Sequence, residues 1–261
     1  MRGWSELYRV SVGLGLRHLR RHGYAREAVV RVVVPLDPSR YLELPWALDR
    51  LAAAPGEAVL DLASPKLFAV ALTRRGARVT SVDQLETEIA TWRMLTEAEE
   101  RLELVVADGR GLPFPDASFD HGSSISVLEH VVGAGADAAA LAELARCVRP
   151  GGRIVVTLPH ALEPRIEYRA SATYVDEGEH DAEGRAFFQR WYDDAAVDSL
   201  LEAVGSVVLR ERSVASLSPN LGAMYTRTFP LLVPLGPFFG LLARERHGPD
   251  GDVVRLLLER R

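Results

Sequence analysis

The chain has 261 residues, 48% of them hydrophobic and 26% charged, so it can bury a sizeable core as one large domain or a domain with an appendage, and disordered and fibrous classes are excluded. Its formal charge of −5 leaves no broad basic field, and no nucleic-acid partner is expected. Cys147 is the single cysteine, which excludes an internal disulfide framework and a cysteine-held zinc site and suits a cytoplasmic location.

Residues 1–54 read as two helical pieces, with a basic stretch over 17–31 and a turn from Pro35 to Pro38, and form an N-terminal helical cap. A signal peptide is not expected, because charges recur at Arg9, Arg17, Arg20 and Arg21 without a clean apolar core. From Glu57 the pattern alternates strand and helix. Residues 58–63, A-V-L-D-L-A, make the short apolar run of a buried parallel strand. Ser64 then offers an N-cap and Pro65 a first helical position for a helix to about Arg75. Further strands are predicted at 78–82, 102–107, 119–126, 153–158, 206–212 and 253–259, and helices at 86–100, at 128–148 with a weak point at Gly133 and Gly135, and at 193–204. Strands joined by helices of this length imply right-handed crossovers and a largely parallel sheet covered on both faces. The expected architecture is therefore α/β, a doubly wound three-layer sandwich of seven strands over residues 55–261, with inserts at 161–190 and 213–252.

In such sheets the ligand lies beyond the carboxyl ends of the strands, beside the first one. Asp83 ends the second strand 22 residues after Asp61, near the offset at which a carboxylate accepts from ribose hydroxyls in nucleotide-binding folds. The same aspartate with Glu86 also reads as a helix capping box. Asp108, followed by Gly109, is placed to accept from an exocyclic amine while a backbone N–H addresses a ring nitrogen, although Asp-Gly is equally a turn signal.

Six segments then occur in order: V-L-D-L at 59–62, S-V-D-Q at 81–84, A-D-G-R-G-L-P-F at 107–114, S-F-D at 118–120, V-L-E-H-V at 127–131 and L-A-R-C-V-R-P-G-G at 144–152. Together they resemble the class I S-adenosylmethionine-dependent methyltransferases over residues 57–158, and more loosely to the C-terminus. The resemblance implies a Rossmann-like domain whose last strand inserts antiparallel, S-adenosyl-L-methionine as cofactor, and methyl transfer to O, N or C of a small-molecule acceptor. On this reading the cofactor-binding residues are Asp61, Ala63, Ser64, Lys66, Asp83, Gln84, Asp108, Gly109, Ser124 and Arg40, and no metal is implied. A nicotinamide-dependent dehydrogenase is disfavoured, because no G-x-G-x-x-G follows the first strand.

One segment departs from the family. Where its members carry a D-x-G-x-G-x-G loop, this chain reads D-L-A-S-P-K at 61–66, without glycine and with the only lysine among 31 basic residues. Either Ala63 and Ser64 are small enough for the cofactor to approach, with Lys66 or the helix N-terminus meeting its carboxylate, or the loop is degenerate and the chain is a non-catalytic binding or scaffold protein. Lys66 is also readable as an exposed first-turn residue. In R-Y-L-E-L-P-W at 40–46, Arg40 is a second carboxylate partner, while Tyr41, Leu44 and Trp46 read as docking contacts of the cap.

A general base is needed if the acceptor carries a hydroxyl, an ammonium or an acidic carbon. His130 and His160, after the fourth and fifth strands, are the catalytic candidates, with packing as the competing role, and His121 and His180 are less well placed. The polar residues 163–190 read as a solvated lid rather than a metal site, and F-F-Q-R-W-Y at 187–192 as part of the acceptor pocket. The connection 213–252 contains an apolar stretch at 229–239. With the basic 17–31 segment this stretch suits peripheral membrane contact or a hydrophobic acceptor, and it equally suits a homodimer interface or a packed lid. No apolar run is long enough for a transmembrane helix.

Overall fold

The computed structural model describes the chain apart from residues 1–2, 38–39, 98, 100, 172–178, 218–244 and 248–251. The apolar run after Glu57 becomes β1 (Ala58–Leu62), whose last four residues are buried. It lies between β2 (Arg78–Asp83) and β4 (His121–Ile125), parallel to both, and the sheet continues in parallel to β3 (Leu102–Val106) on one side and β5 (Arg153–Pro159) on the other. Next to β5 runs β10 (Val253–Arg260), antiparallel, followed by β8 (Val207–Leu217). The seven expected strands thus form a mixed sheet with an antiparallel last strand, and the three-residue β9 (Glu245–His247) adds an eighth at the edge beyond β8.

Helices α4 (Lys66–Arg74) and α5 (Glu86–Thr96) connect the strands on one side of β1, and α6 (Ala136–Cys147) and α7 (Asp194–Val204) follow on the other. The helix expected over 128–148 is interrupted. A single 3-10 turn, Leu128–His130, is separated from α6 by Gly133 and Gly135, both in the left-handed region that a side chain disfavours. The N-terminal segment folds as three helices rather than two: α1 (Trp4–His22), α2 (Arg26–Val33) and α3 (Arg40–Leu51). Leu7, Leu14, Leu44 and Leu48 from these helices share one core with Phe68 of α4 and Ile89 of α5. A second core packs Leu141 and Leu144 of α6 against Leu60, Val156 and Leu256 of the sheet.

The insert expected as an irregular lid contains a two-stranded antiparallel ribbon, β6 (Arg165–Arg169) with β7 (Ala186–Trp191). The R-P-G-G signature has a steric cause, since a Cβ on Gly152 would lie 2.3 Å from the Asp120 carbonyl oxygen. The apolar stretch 229–239, and Tyr174, Asp176 and Glu177 of the polar insert, lie outside the described residues. Among the described residues no helix is long and apolar enough to cross a membrane.

Candidate active site

At the carboxyl ends of β1 to β4 lies a cavity of about 510 Å³, walled by the β1–α4 loop, the starts of the segments after β2 and β3, and the 3-10 turn after β4. Three carboxylates, Asp83, Glu88 and Asp108, and three cations, Arg40, Lys66 and Arg110, line it. Of the residues expected at the cofactor, Arg40, Ala63, Ser64, Lys66, Asp83, Gln84, Asp108 and Gly109 all border this space, as does His130.

Three other expected residues do not line the cavity. Asp61 is fully buried in the sheet, and its carboxylate oxygens accept from the hydroxyls of Ser81 and Ser123, each at 2.7 Å. Those serines are its register partners on β2 and β4, so Asp61 ties three strands together beneath the loop. Ser124 is likewise buried, and its hydroxyl has no hydrogen-bond partner among the described residues. His160, expected at the pocket mouth, is 4% exposed and pairs in a bridge with Tyr192, its Nε2 3.9 Å from Asp194. His121 lies at the opposite end of β4, where its Nε2 is 3.1 Å from a Glu57 oxygen, and His180 is exposed beside the ribbon.

The glycine-free loop adopts a glycine-like backbone. Ala63 has φ +50°, in the left-handed region that costs an L-residue about 1–2 kcal/mol, and its N–H donates to the Val82 carbonyl at 2.7 Å. Ser64 does not cap the helix: its hydroxyl accepts from the Ile125 N–H at 3.0 Å, and Pro65 takes the cap position. The turn that glycines would make is therefore formed by a small residue held under strain, which leaves no Cγ in the way of a ligand. Replacing Ala63 with glycine is expected to raise stability by up to about 1 kcal/mol, and replacing it with valine to lower it by about 2 kcal/mol or more, as read by chemical denaturation. The opposite order would show that the loop is not held in this conformation.

Lys66 is not an exposed helix residue. It is 1% exposed, and its Nζ donates to Asp83 Oδ2 at 2.8 Å and to the Ser64 carbonyl at 3.2 Å. The other carboxylate oxygen of Asp83 accepts from the Leu85 N–H, so Asp83 turns the chain locally and does not form the capping box with Glu86. Asp108 is gripped by Arg110 through Nε, Nη2 and the backbone N–H, and the Arg110 guanidinium holds its carboxyl below the usual range.

On the other wall, His130 Nδ1 donates to the Phe188 carbonyl of β7 at 2.8 Å. Because a carbonyl only accepts, this bond places the proton of the neutral ring on Nδ1 and makes Nε2 the acceptor. Burial lowers the pKa of His130, so the ring is neutral at pH 7.

Behind it lies a polar cluster that sequence reasoning missed. Glu43, 2% exposed, accepts from the hydroxyls of Ser126 (2.8 Å) and Thr157 (2.7 Å) and from Arg40 Nη1 (2.7 Å). This anchors α3 to β5 and holds Arg40 at the cavity wall. Ser126, φ +54°, is a second strained residue beside the cavity. Glu129 is fully enclosed, and burial, reinforced by Glu43, pushes its carboxyl up to about 8, so it keeps its proton at neutral pH. Only the i, i+3 spacing of Arg40 and Glu43 was legible as a signal for this cluster, whereas Ser126 and Thr157 carried none. Tyr41 and Trp46 are buried packing residues, as expected for docking contacts.

The cavity suits a nucleoside cofactor with a charged amino-acid tail. Its volume falls in the range of small-molecule sites, Asp83 presents a buried carboxylate to it, and the strained Ala63 leaves the loop backbone approachable. On the floor beside Asp108, a Cβ on Gly109 would come within 2.8 Å of a Leu62 methyl, which would have to shift to admit it.

Comparison with known proteins places the chain in a family with this fold. A family model described as a methyltransferase domain matches residues 60–156. A demethylmenaquinone methyltransferase of Clavibacter sepedonicus is 31% identical over 188 residues, covering 64% of this chain and 72% of that protein. A 37.1 kDa protein in transposon TN4556 of Streptomyces fradiae is 36% identical over 126 residues, and there the chain spans only 35% of the relative's length. Among solved structures, the Burkholderia thailandensis 1,6-didemethyltoxoflavin-N1-methyltransferase, bound to 1,6-didemethyltoxoflavin and S-adenosylhomocysteine, superposes over 100% of this chain and 90% of its own with a TM-score of 0.52 at 17% identity, a likeness of fold.

Proposed function

The chain belongs to the class I S-adenosylmethionine-dependent methyltransferases, and we propose that its acceptor is a quinol-type aromatic ring, methylated at a ring carbon. The observation that carries this reading is His130, a buried neutral imidazole at the cavity wall whose Nε2 is set as a proton acceptor by the bond from Nδ1 to Phe188. The relation to a demethylmenaquinone methyltransferase supports the acceptor class, and Val127, Val131 and Val132 give the adjoining wall an apolar surface.

When bound, S-adenosylmethionine supplies a methyl group already activated as a sulfonium, and the protein's task is alignment, desolvation and proton removal. Asp83, Asp108 and Arg40 border the cofactor's space and would hold its ribose, its base and its carboxylate. His130 Nε2 would take the proton of the quinol hydroxyl, raising electron density on the ring. After transfer to the ring carbon, with the cofactor leaving as its neutral thioether, the carbon would lose its own proton to solvent and restore aromaticity. The His130 imidazolium would return the first proton to the ring oxygen.

The test is incubation with S-adenosylmethionine and a short-chain demethylnaphthoquinol kept reduced, with mass and NMR analysis of the product. One added methyl on a ring carbon is expected, while methylation of simple amines or phenols with the quinol untouched would refute the assignment. Since burial lowers the His130 pKa, the active base is the unprotonated ring, and activity should persist as pH falls until the ring protonates. The acid limb of kcat/KM is therefore expected below the ordinary histidine value of about 6.5.

A further inference from the structure

The chain's one lysine occupies a place that disfavours it on three counts. Lys66 is 1% exposed, it opens α4 where the helix dipole repels a cation, and it stands next to the strained Ala63 turn in the loop that the family pattern would fill with glycine. Its ammonium carries three N–H donors, of which Asp83 Oδ2 takes one and the Ser64 carbonyl another. No other acceptor among the described residues binds it, and the residue borders the cavity. Asp83 is complementary. Lys66 and the Leu85 N–H each engage one of its oxygens, and each oxygen keeps a second lone pair.

We propose that Lys66 and Asp83 act as one donor–acceptor pair on the cofactor's ribose, Asp83 accepting from one hydroxyl while Lys66 donates to the oxygen of the other. The inference rests on the S-adenosylmethionine reading of the cavity. It puts Lys66 at the ribose end of the cofactor rather than at the carboxylate end, which was one of the alternatives open from the sequence, because its amine is committed to the strand-two aspartate 17 residues away in the chain. It also accounts for the lost glycines: the loop surrenders them and gains a side chain that reads the diol.

Titration calorimetry tests this with S-adenosylhomocysteine and its 2′-deoxy and 3′-deoxy ribose analogues. The wild-type protein is expected to bind each deoxy analogue about tenfold more weakly than the parent. In Lys66→Met, S-adenosylhomocysteine should bind about tenfold more weakly, and for one of the two analogues the penalty should vanish, because the donor that hydroxyl served is gone. Both penalties surviving in Lys66→Met would reduce Lys66 to a counter-ion and overturn the proposal. Methionine leaves Asp83 buried without its partner. If that variant does not fold, the comparison runs between Asp83→Asn and Lys66→Met/Asp83→Asn, with the same expected loss of one penalty and the same overturning result. Failure of the wild-type protein to bind S-adenosylhomocysteine at all would overturn the cofactor reading itself, whereas tight binding with unchanged penalties removes only the ribose pair.

Discussion

Replacing His130 with alanine is expected to lower kcat by a factor of about 10² to 10⁴, the range that a positioned general base contributes, with little change in cofactor affinity. On the proposed mechanism the side chain contributes twice: Nδ1 holds the ring to the ribbon through Phe188, and Nε2, 3.8 Å from a Glu129 oxygen, serves as the base. Alanine removes both, so a loss of activity from a displaced ribbon must be separated from the loss of a base. His130→Asn makes that separation, because its amide keeps a donor for the Phe188 carbonyl but supplies no base at neutral pH. Near-alanine activity in the asparagine variant, with an unchanged melting temperature, supports the base. Near-wild-type activity would show that the ring only positions the ribbon.

Asp83→Ala is expected to weaken cofactor binding by about 1–3 kcal/mol through lost hydrogen bonds to the ribose. A second effect arises only from the folded geometry. Lys66 and Asp83 have side chains 1% and 9% exposed, so removing the carboxylate leaves an ammonium enclosed without its counter-ion. Breaking a buried pair from one side costs about 3–5 kcal/mol, a large share of a typical domain's stability. The measurements are urea denaturation of the ligand-free protein and calorimetry of whatever remains folded. The double variant Lys66→Met/Asp83→Asn should recover much of the lost stability without recovering affinity, because a neutral pair of similar volume no longer needs solvation. Equal instability of single and double variants would mean that the pair is not the cause.

The fold was largely legible because its signals are local and periodic. The runs at 58–62 and 153–159 are buried on both faces and read as strands without reference to anything distant. The helix boundary at Gly133 and Gly135 was visible as a weak point, and only the extent of the interruption was misjudged. The ribbon of β6 and β7 was missed because β6 is polar and largely exposed while β7 opens on three consecutive buried apolar residues, Ala186, Phe187 and Phe188, so neither strand shows clean alternation, and each gains stability by pairing with the other.

The site divides along the same line. The position of Asp83, Asp108 and His130 at strand ends follows from the sequence through a rule of topology, since every parallel strand delivers its last residues to one rim. Whether a side chain turns into the cavity or into the sheet does not follow, and Asp61 shows why: its partners Ser81 and Ser123 come from strands 20 and 62 residues away and appear only once the register is set. Glu43 reaches 114 residues along the chain to Thr157, and no local pattern encodes such a contact. By itself, then, the sequence determined the strand order of chemistry, the family and the oddity of a lone lysine in a glycine-free loop. Only the tertiary structure decided that this lysine is buried against Asp83, because burying a charge is tolerable solely where folding brings an opposite charge within hydrogen-bond distance.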